Sequence, residues 1–277
     1  MIGQIDMAER RQIITLLTDF GTADYFVGAM KGVILSLNPD VELVDISHNV
    51  PAYNIAAAGF TLRGYYNTFP PRTVHLVVVD PGVGSSRRPI IVMADKYTFV
   101  GPDNGIFSYV YAQEPDVRVI HITAEHYFRQ PVSSTFHGRD LFAPVAAYLS
   151  KGVDWSKMGE EITDYVRFNI PQPKPAGDRL IRGHIIHIDR FGNCITNLSE
   201  KEISREQIAK GVKLVVQQRE ITSFYRYFAE AKQGELFAYL GSADLWEIAA
   251  LRQSAAQLLQ AKPGVEVYAS RLTDYGN

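Results

Sequence analysis

The sequence of 277 residues lacks several features that mark particular classes of protein. It contains a single cysteine, Cys194, so no intrachain disulfide can form, as is usual in a reducing cytosol. No apolar run approaches the roughly 20 residues of a membrane helix, and residues 1–11 lack the apolar core of a signal peptide. The formal net charge is −2 and there is no basic stretch. We therefore expect a cytoplasmic protein with neither a membrane nor a nucleic acid as partner.

Several chemical motifs are missing as well. No spacing of His, Cys and Glu indicates a zinc site, and there is no Gly-x-Ser-x-Gly nucleophile elbow. The segment Pro81-Gly82-Val83-Gly84 has neither the full glycine spacing of a dinucleotide fingerprint nor the Gly-Lys-Ser/Thr of a P-loop. It remains open as a tight turn or a phosphate cradle, and we predict no metal and no cofactor.

One proline-rich segment divides the chain. Residues 169–178 carry three prolines at alternate positions, Pro171, Pro173 and Pro175. Such a run favours extended polyproline geometry and disfavours helix and sheet. We predict a linker over 169–178, a first domain over 12–168 and a second domain over 179–277.

The first domain alternates strand and helix patterns. Short apolar runs predict strands over 13–17, 41–46, 74–79, 90–93 and 117–122. Helical spacing of apolar residues predicts helices over 26–37 and 55–66. Continuous apolar strands that alternate with helices are typical of an α/β domain whose mostly parallel sheet is covered by helices on both faces.

The second domain has a different pattern. Short β-like segments occur over 185–188, 213–216, 236–240 and 265–268, separated by turn residues. One helix is predicted around 245–259. A small β-barrel or a sandwich fits this pattern best.

Polar residues follow the predicted strands of the first domain. Ligands of open parallel sheets bind beyond the carboxyl ends of the strands, so we expect these side chains to converge on one edge. An Asp after a strand is also commonly a helix N-cap or a turn residue, and Arg139-Asp140 also fits a surface pair with Asp140 capping a helix over 141–149. The residues concerned include Asp19, Asp45, His48, Asp80, Arg87, Arg88, His137, Arg139 and Asp140.

Four motifs follow one another in a fixed order. They are Asp80-Pro-Gly-Val-Gly-x-x-Arg87-Arg88, Gly101-Pro-Asp-Asn-Gly105, Thr135-Phe-His-Gly-Arg-Asp140 and Ile188-Asp-Arg-Phe-Gly-Asn193. Together they closely resemble the S-adenosylmethionine hydroxide adenosyltransferases, which are relatives of the S-adenosylmethionine-dependent chlorinase and fluorinase. The resemblance runs from Thr18 to about Arg271.

This resemblance implies a fold, an assembly and a reaction. Family members are similar in having an α/β N-terminal domain and a β-barrel C-terminal domain. They form homotrimers, in which the substrate lies between the N-terminal domain of one subunit and the C-terminal domain of a neighbour. The implied reaction is hydrolysis of S-adenosyl-L-methionine to adenosine and L-methionine, by in-line attack of an activated water at C5′.

The resemblance also implies roles for individual residues. Asp80, Arg87 and His137 match the set that positions and polarises the water, although the adjacent Arg88 leaves the choice of arginine open. The implied substrate contacts are Asp19 with the ribose hydroxyls, Asp24 and Asp189 near the methionine ammonium, Tyr53 along the nucleoside, Phe191 and Asn193 at the adenine, and Ser270 and Arg271 near the methionine carboxylate.

Two positions distinguish the hydrolases from the halide-using relatives. Those relatives carry Tyr where this chain has Asp80 and His137, and a carboxylate repels a halide ion. We therefore predict a hydrolase. The alternatives are a halogenase, a non-catalytic sensor of adenosine or S-adenosylmethionine, and a structural oligomer with a vestigial ligand site.

Overall fold

The computed structural model describes residues 11–177 and 179–270. The chain divides into two compact units, with the division between Asn169 and Ile170. No helix among the described residues is both long enough and apolar enough to cross a membrane.

The first unit alternates strands and helices over most of its length. Its strands are β1 (Ile13–Thr18), β2 (Glu42–Ser47), β3 (Val74–Val78), β4 (Pro89–Met93), β5 (Thr98–Pro102), β6 (Arg118–Ile122) and β7 (Gly159–Ile162). Its α-helices are α1 (Phe26–Leu37), α2 (Ile55–Tyr65), α3 (Ser108–Gln113) and α4 (Ala143–Ser150). Short 3₁₀ turns cover Tyr66–Thr68, Glu125–Tyr127 and Trp155–Lys157, and a π-helical turn covers Gly138–Phe142.

The seven strands form one mixed sheet in the order β2-β1-β3-β5-β4-β6-β7. The first four strands in this order are parallel to one another. Strand β4 is antiparallel to both of its neighbours, and β7 is antiparallel to β6. Since β1, β2 and β3 run in the same direction, the loops that follow them leave from one edge of the sheet.

Helices cover both faces of this sheet. Helices α1 and α4 pack over one face, where Met30, Ile34 and Phe142 are fully buried. Helices α2 and α3 pack over the other face, where Leu62 and Phe107 are buried. Every residue of β3 is buried, as its apolar sequence, interrupted only by His75, predicts for a central parallel strand.

The second unit is an antiparallel, nearly closed sheet of eight strands. They are β8 (Lys174–Pro175), β9 (Leu180–Ile188), β10 (Cys194–Thr196), β11 (Lys213–Val216), β12 (Arg219–Ile221), β13 (Leu236–Leu240), β14 (Trp246–Ala250) and β15 (Glu266–Ser270). A 3₁₀ turn covers Phe228–Glu230, and the short helices are α5 (Arg205–Ala209) and α6 (Ala255–Leu259). The main core of this unit includes Ile185, Leu214, Ile248 and Val267. A second, smaller cluster contains Ala231, Phe237 and Ala249.

The predicted fold class is confirmed, and three details differ. The helix predicted around 245–259 is wrong, because the segment contains strand β14 followed by the short helix α6. Sheet structure was not expected in the proline-rich segment, yet Lys174 and Pro175 pair with β9, at a position where proline does not interrupt a ladder. Strands β5, β7, β10 and β12 and the short helices α3 and α5 were not predicted.

Candidate active site

Asp80 and Arg87 form a buried ion pair in the loop after β3. Arg87 Nε lies 3.0 Å from Asp80 Oδ1 and 2.9 Å from Oδ2, and Nη2 lies 2.5 Å from Oδ2. The side chains are only 5% and 9% exposed, respectively. The Arg87 guanidinium also lies over the ring of Phe142. This packing fixes both side chains at the carboxyl edge of the sheet.

His137 joins this pair from a different loop. Its Nδ1 lies 2.6 Å from Arg87 Nη2. Because a guanidinium can only donate, Nδ1 accepts this bond and a neutral His137 carries its proton on Nε2. Burial, and then the charge of Arg87, lowers the pKa of His137 below that of a free imidazole. The three side chains therefore combine a carboxylate, a guanidinium and a neutral imidazole that has a defined tautomer.

Arg88 points to a different set of carboxylates. It donates to Asp103 at 2.7 and 2.9 Å and to Asp164 at 2.7 Å. Asp103 is buried and also accepts from the backbone N–H of Val166. Arg88 thus ties the Gly-Pro-Asp-Asn-Gly motif to the end of the first unit, and the arginine beside Asp80 and His137 is Arg87.

The loop that carries His137 is held by a carboxylate that the sequence analysis treated as a surface or capping group. Asp140 is fully buried and accepts hydrogen bonds from Arg139, Arg129 and the backbone N–H of Ser133. The surface-pair interpretation of Arg139-Asp140 is therefore wrong. A charge with no solvent exposure is stable only when it is paired in this way. Nothing in the local sequence indicates that Arg129, eleven residues away, is a partner.

Asp19 and Tyr53 meet at the same edge of the sheet. Asp19 Oδ2 accepts a hydrogen bond of 2.8 Å from the backbone N–H of Tyr53. Tyr53 has a positive φ of 65°, and its ring is 74% exposed. Asp24 is exposed in the loop between β1 and α1. The Asp19 carboxylate thus contacts the backbone of an exposed tyrosine, while Asp24 lies further along the loop that begins at Asp19.

In the second unit, a loop after β9 groups three predicted site residues. Asp189 Oδ1 accepts from the backbone N–H of Phe191 and of Asn193, and Oδ2 accepts from Asn193 Nδ2 at 2.8 Å. The Asp189 carboxylate is thus directed into its own loop. Phe191 is 77% exposed, whereas Asn193 is buried. The loop presents an uncovered aromatic ring next to a fixed amide.

A cavity of about 620 Å³ opens beside this loop. At Gly192, φ is +84° and an added Cβ would lie 2.1 Å from Ser254 Oγ, so only glycine fits. Gly192 also accepts a hydrogen bond from the backbone N–H of Ala256 in α6. The cavity is lined by Phe191, Asn193, Phe228, Ala250, Leu251, Arg252, Gln253 and Ser254. The last six of these residues belong to no sequence motif and were not predicted.

Ser270 is not brought together with this loop. It pairs with Leu180 at the start of β9, whereas Asp189 follows the end of that nine-residue strand. Nine residues of extended chain span about 30 Å. Arg271 lies outside the described residues.

Clusters of three or more metal-ligating side chains do not occur within 11–177 or 179–270. Comparison with known proteins gives two family matches. The model of the SAM hydroxide adenosyltransferase N-terminal domain matches residues 14–159, and that of the C-terminal domain matches residues 183–268.

Relatives and a solved structure match over nearly the whole chain. The (R)-S-adenosyl-L-methionine hydrolase of Methanocaldococcus jannaschii is 35% identical, over 89% of this chain and 91% of the relative. The fluorinase of Nocardia brasiliensis is 26% identical, over 93% and 96%. The crystal structure of an uncharacterised conserved protein from Thermotoga maritima superposes with a TM-score of 0.87 at 34% identity, over 93% of this chain and all of the other.

Proposed function

The chain belongs to the SAM hydroxide adenosyltransferase family, and on that premise we propose that it hydrolyses S-adenosyl-L-methionine to adenosine and L-methionine. The observation that carries the proposal is the network of Asp80, Arg87 and His137. These are groups that can hold and deprotonate a water molecule, and four curated relatives at 33–35% identity are named hydrolases.

The reaction needs an oxygen nucleophile in line with the C5′–S bond. A sulfonium leaves as a neutral thioether, so the bonding electrons go to sulfur and no acid has to protonate the leaving group. The water oxygen bonds to C5′, and Asp80 accepts its proton. General base assistance of this kind contributes roughly 10²–10⁴-fold to the rate.

His137 and Arg87 hold the water and its base. Because Arg87 occupies Nδ1 of His137, the Nε2–H is free to donate to the water oxygen and to stabilise hydroxide character there. Arg87 keeps the Asp80 carboxylate in one orientation through hydrogen bonds from Nε and Nη2. No metal or cofactor enters this mechanism.

We assign substrate contacts to both units. In the first, Asp19 accepts from the ribose hydroxyls, Tyr53 lies along the nucleoside and Asp24 faces the methionine ammonium. In the second, Phe191 stacks on adenine, Asn193 bonds the base edge, and Asp189 contributes negative charge near the ammonium while it orders the loop. We assign no contact to Ser270 or Arg271, because Ser270 of β15 pairs with Leu180, at the end of β9 opposite the Asp189 loop.

The relatives' names specify one sulfonium epimer. Sulfur with three different carbon substituents is a stereocentre, and four relatives are named for the (R) form. We propose the same preference here.

We further propose a cytoplasmic homotrimer with active sites between subunits. Each unit carries part of the predicted site, the water-binding trio in one and the aromatic ring and amide in the other, which is the distribution that a shared site requires. The single cysteine is buried and free, as suits a reducing compartment.

The test is incubation with the separate (R) and (S) epimers in ¹⁸O-labelled water. We expect adenosine and methionine from the (R) epimer, with the label in the 5′-hydroxyl of adenosine. Adenosine without the label would rule out attack of water at C5′, and labelled homoserine formed with 5′-methylthioadenosine would place the attack at Cγ of the methionine moiety. Binding of the substrate without adenosine formation would support the sensor, and a 5′-halogenated nucleoside formed in added chloride or fluoride would support the halogenase.

A further inference from the structure

A chain of polar contacts runs beneath the loop that carries Asp19. Lys31 Nζ lies 2.5 Å from Asp45 Oδ2, and Asp45 Oδ1 lies 3.1 Å from His48 Nε2. His48 Nδ1 lies 2.8 Å from Thr18 Oγ1. These contacts therefore connect Lys31 of α1 with Thr18, the last residue of β1. The connection runs through Asp45 near the end of β2 and His48 in the loop that follows.

The hydrogen-bond chemistry gives this chain one direction. The carboxylate of Asp45 lies 3.1 Å from Nε2 of His48 without an aligned hydrogen bond, and its negative charge favours the proton on that nitrogen. Nδ1 of His48 is then bare and accepts from the Thr18 hydroxyl. Thr18 Oγ1 in turn accepts from the backbone N–H of Phe20 at 3.3 Å. The polar chain thus ends on the peptide next to Asp19.

Two more hydrogen bonds tie the same loops together. The backbone N–H of Gly21, at a φ of +69°, donates to the carbonyl of His48 at 2.7 Å. The backbone N–H of Tyr53 occupies Asp19 Oδ2. The Asp19 loop is therefore held on either side of its carboxylate by the segment that follows β2.

Thr18 and His48 are unexpected residue types for their surroundings. Thr18 is fully buried and His48 is 5% exposed. Valine has the shape of threonine and is equally suited to a buried strand, and a buried polar group is costly unless it is hydrogen-bonded. The hydroxyl and the imidazole are thus explained by the loop that they orient rather than by the packing of the sheet.

We propose that Thr18 and His48 are positioning residues, which direct the Asp19 carboxylate towards the two hydroxyls of the nucleoside sugar. This inference rests on the proposed function, since it takes the ligand of Asp19 to be the ribose. Asp45 and Lys31 set the tautomer of His48 and lie one step further from the ligand.

The experiment uses the full chain and measures the Kd for adenosine by calorimetry, beside KM and kcat for (R)-S-adenosyl-L-methionine. Thr18→Val removes the hydroxyl at constant shape, and Thr18→Ser retains it. His48→Asn retains an acceptor at the position of Nδ1, whereas His48→Gln retains a donor at the position of Nε2 and loses that acceptor.

We expect Thr18→Val to raise the Kd and KM by about tenfold, the loss of roughly one oriented hydrogen bond, with kcat within about twofold. Thr18→Ser restores binding. His48→Asn binds adenosine more tightly than His48→Gln, although Gln is closer to His in volume and a role in packing alone predicts the opposite order.

Two results would overturn the inference while hydrolysis by the wild-type protein stands: an unchanged Kd in Thr18→Val, or His48→Gln binding more tightly than His48→Asn. Wild-type protein that binds adenosine without hydrolysing the substrate contradicts the proposed function. The order of the adenosine Kd values among the Thr18 and His48 variants then still tests the inference. Wild-type protein that neither binds adenosine nor hydrolyses the substrate overturns both. Where it hydrolyses the substrate without measurable adenosine binding, the order of the KM values decides the inference.

Discussion

Arg87 affects its two neighbours in different ways. It provides Asp80 with a charged partner, and its charge adds to burial in lowering the pKa of His137. Lysine offers a single point charge and cannot reproduce hydrogen bonds from Nε and Nη2 to one carboxylate together with a bond to the imidazole. One planar guanidinium thus sets both the direction of the base and the tautomer of the imidazole.

Loss of the Asp80 carboxylate is the most direct test of this chemistry. We expect Asp80→Asn to lower kcat by about 10²-fold or more and to change KM much less, because the amide cannot accept the proton while the nucleoside contacts stay intact. The measurement is steady-state adenosine release. Asp164→Asn is the matched control, since Asp164 pairs with Arg88 and its side chain is 77% exposed. Near wild-type kcat in Asp80→Asn would place the base elsewhere.

The tautomer of His137 predicts a pH dependence. Protonation of Nδ1 breaks the bond from Arg87, so we expect kcat to fall as the pH falls through the lowered pKa of His137, below the 6.5 of a free imidazole. The charged groups that act on His137 are Arg87, Asp80 and Asp140. Profiles of kcat against pH for the wild type and for His137→Gln test this. Because protonation of the general base Asp80 also lowers kcat in both proteins, the comparison is of midpoints. An acid limb centred above 6.5, or one whose midpoint is the same in the variant as in the wild type, would contradict the role given to His137.

Site residues were predictable from the sequence only where a motif marks them. Asp80, Arg87 and His137 stand in continuous motifs, and the structure brings the three side chains together. The choice between Arg87 and Arg88 required coordinates, because adjacent residues in a loop point in directions that spacing does not determine. The burial of Asp140 and the contact between Thr18 and His48 depend on which loops meet, and single-sequence patterns do not contain that information.

At the scale of elements, the loop after β3 packs closely against the loop that carries His137. Gly84 has a φ of +77°, and an added Cβ would lie 2.2 Å from the carbonyl oxygen of Ser134. Gly82 lies in the same motif, but an added Cβ there would meet Arg87 Cγ and Ser85 Oγ at 3.4 Å. The two glycines therefore differ in how much room the structure leaves for a side chain.

The glycine pair gives a matched comparison. We expect Gly84→Ala to lower kcat by at least about tenfold and to lower the Tm, because the clash forces the Asp80 loop away from the His137 loop. Gly82→Ala should remain within about threefold of the wild type. Activity assays and thermal melts measure both effects. Equal behaviour of the two variants would show that the close approach at Gly84 does not hold the site together.

Elements were predicted best where burial sets the pattern. Strands β1 and β3 and helices α1 and α2 agree closely with the patterns that predicted them. The segment 245–259 is rich in helix-forming residues, yet Trp246 pairs with Leu240 across a turn that contains Gly241 and Asp244, the latter at a φ of 56°. Pairing within the sheet outweighed local propensity, as tertiary context commonly does.

For the molecule as a whole, one core histidine links stability to pH. His75 is fully buried in β3 beside Phe99, and its Nδ1 lies 2.8 Å from Thr15 Oγ1. Burial lowers the pKa of His75 to about 3. Between that value and the pKa of about 6.5 in the unfolded chain, only the unfolded state binds the proton, so the free energy of unfolding falls as the pH is lowered through this window.

We expect His75→Asn to flatten that dependence. The wild type should lose up to about 1.4 kcal/mol per pH unit through this one group between about pH 6 and pH 4, and the variant should lose less. Denaturant unfolding at several pH values measures the slope of the free energy of unfolding against pH. The cavity left by Asn lowers that free energy by the same amount at every pH, so it does not change the slope. Identical slopes would mean that His75 does not couple folding to protonation.

The proposed assembly makes a prediction that no single chain can satisfy. If each site combines the first unit of one subunit with the second unit of a neighbour, Asp80→Asn inactivates one half of a site. The double variant Phe191→Ala, Asn193→Ala inactivates the other half.

Co-expression of the two chains then produces sites in which both halves are intact, about one quarter of all sites when subunits mix at random. We expect each variant alone to be nearly inactive at low substrate concentration. Purification through two different tags removes the uniform trimers, and every trimer that contains both chains has one intact site of three, so the mixed oligomer should recover about one third of wild-type activity. Light scattering on the same sample should give the mass of a trimer. A mixed sample with no recovered activity would show that the sites are not shared between subunits, and a fully active monomer would show that one chain forms the site alone.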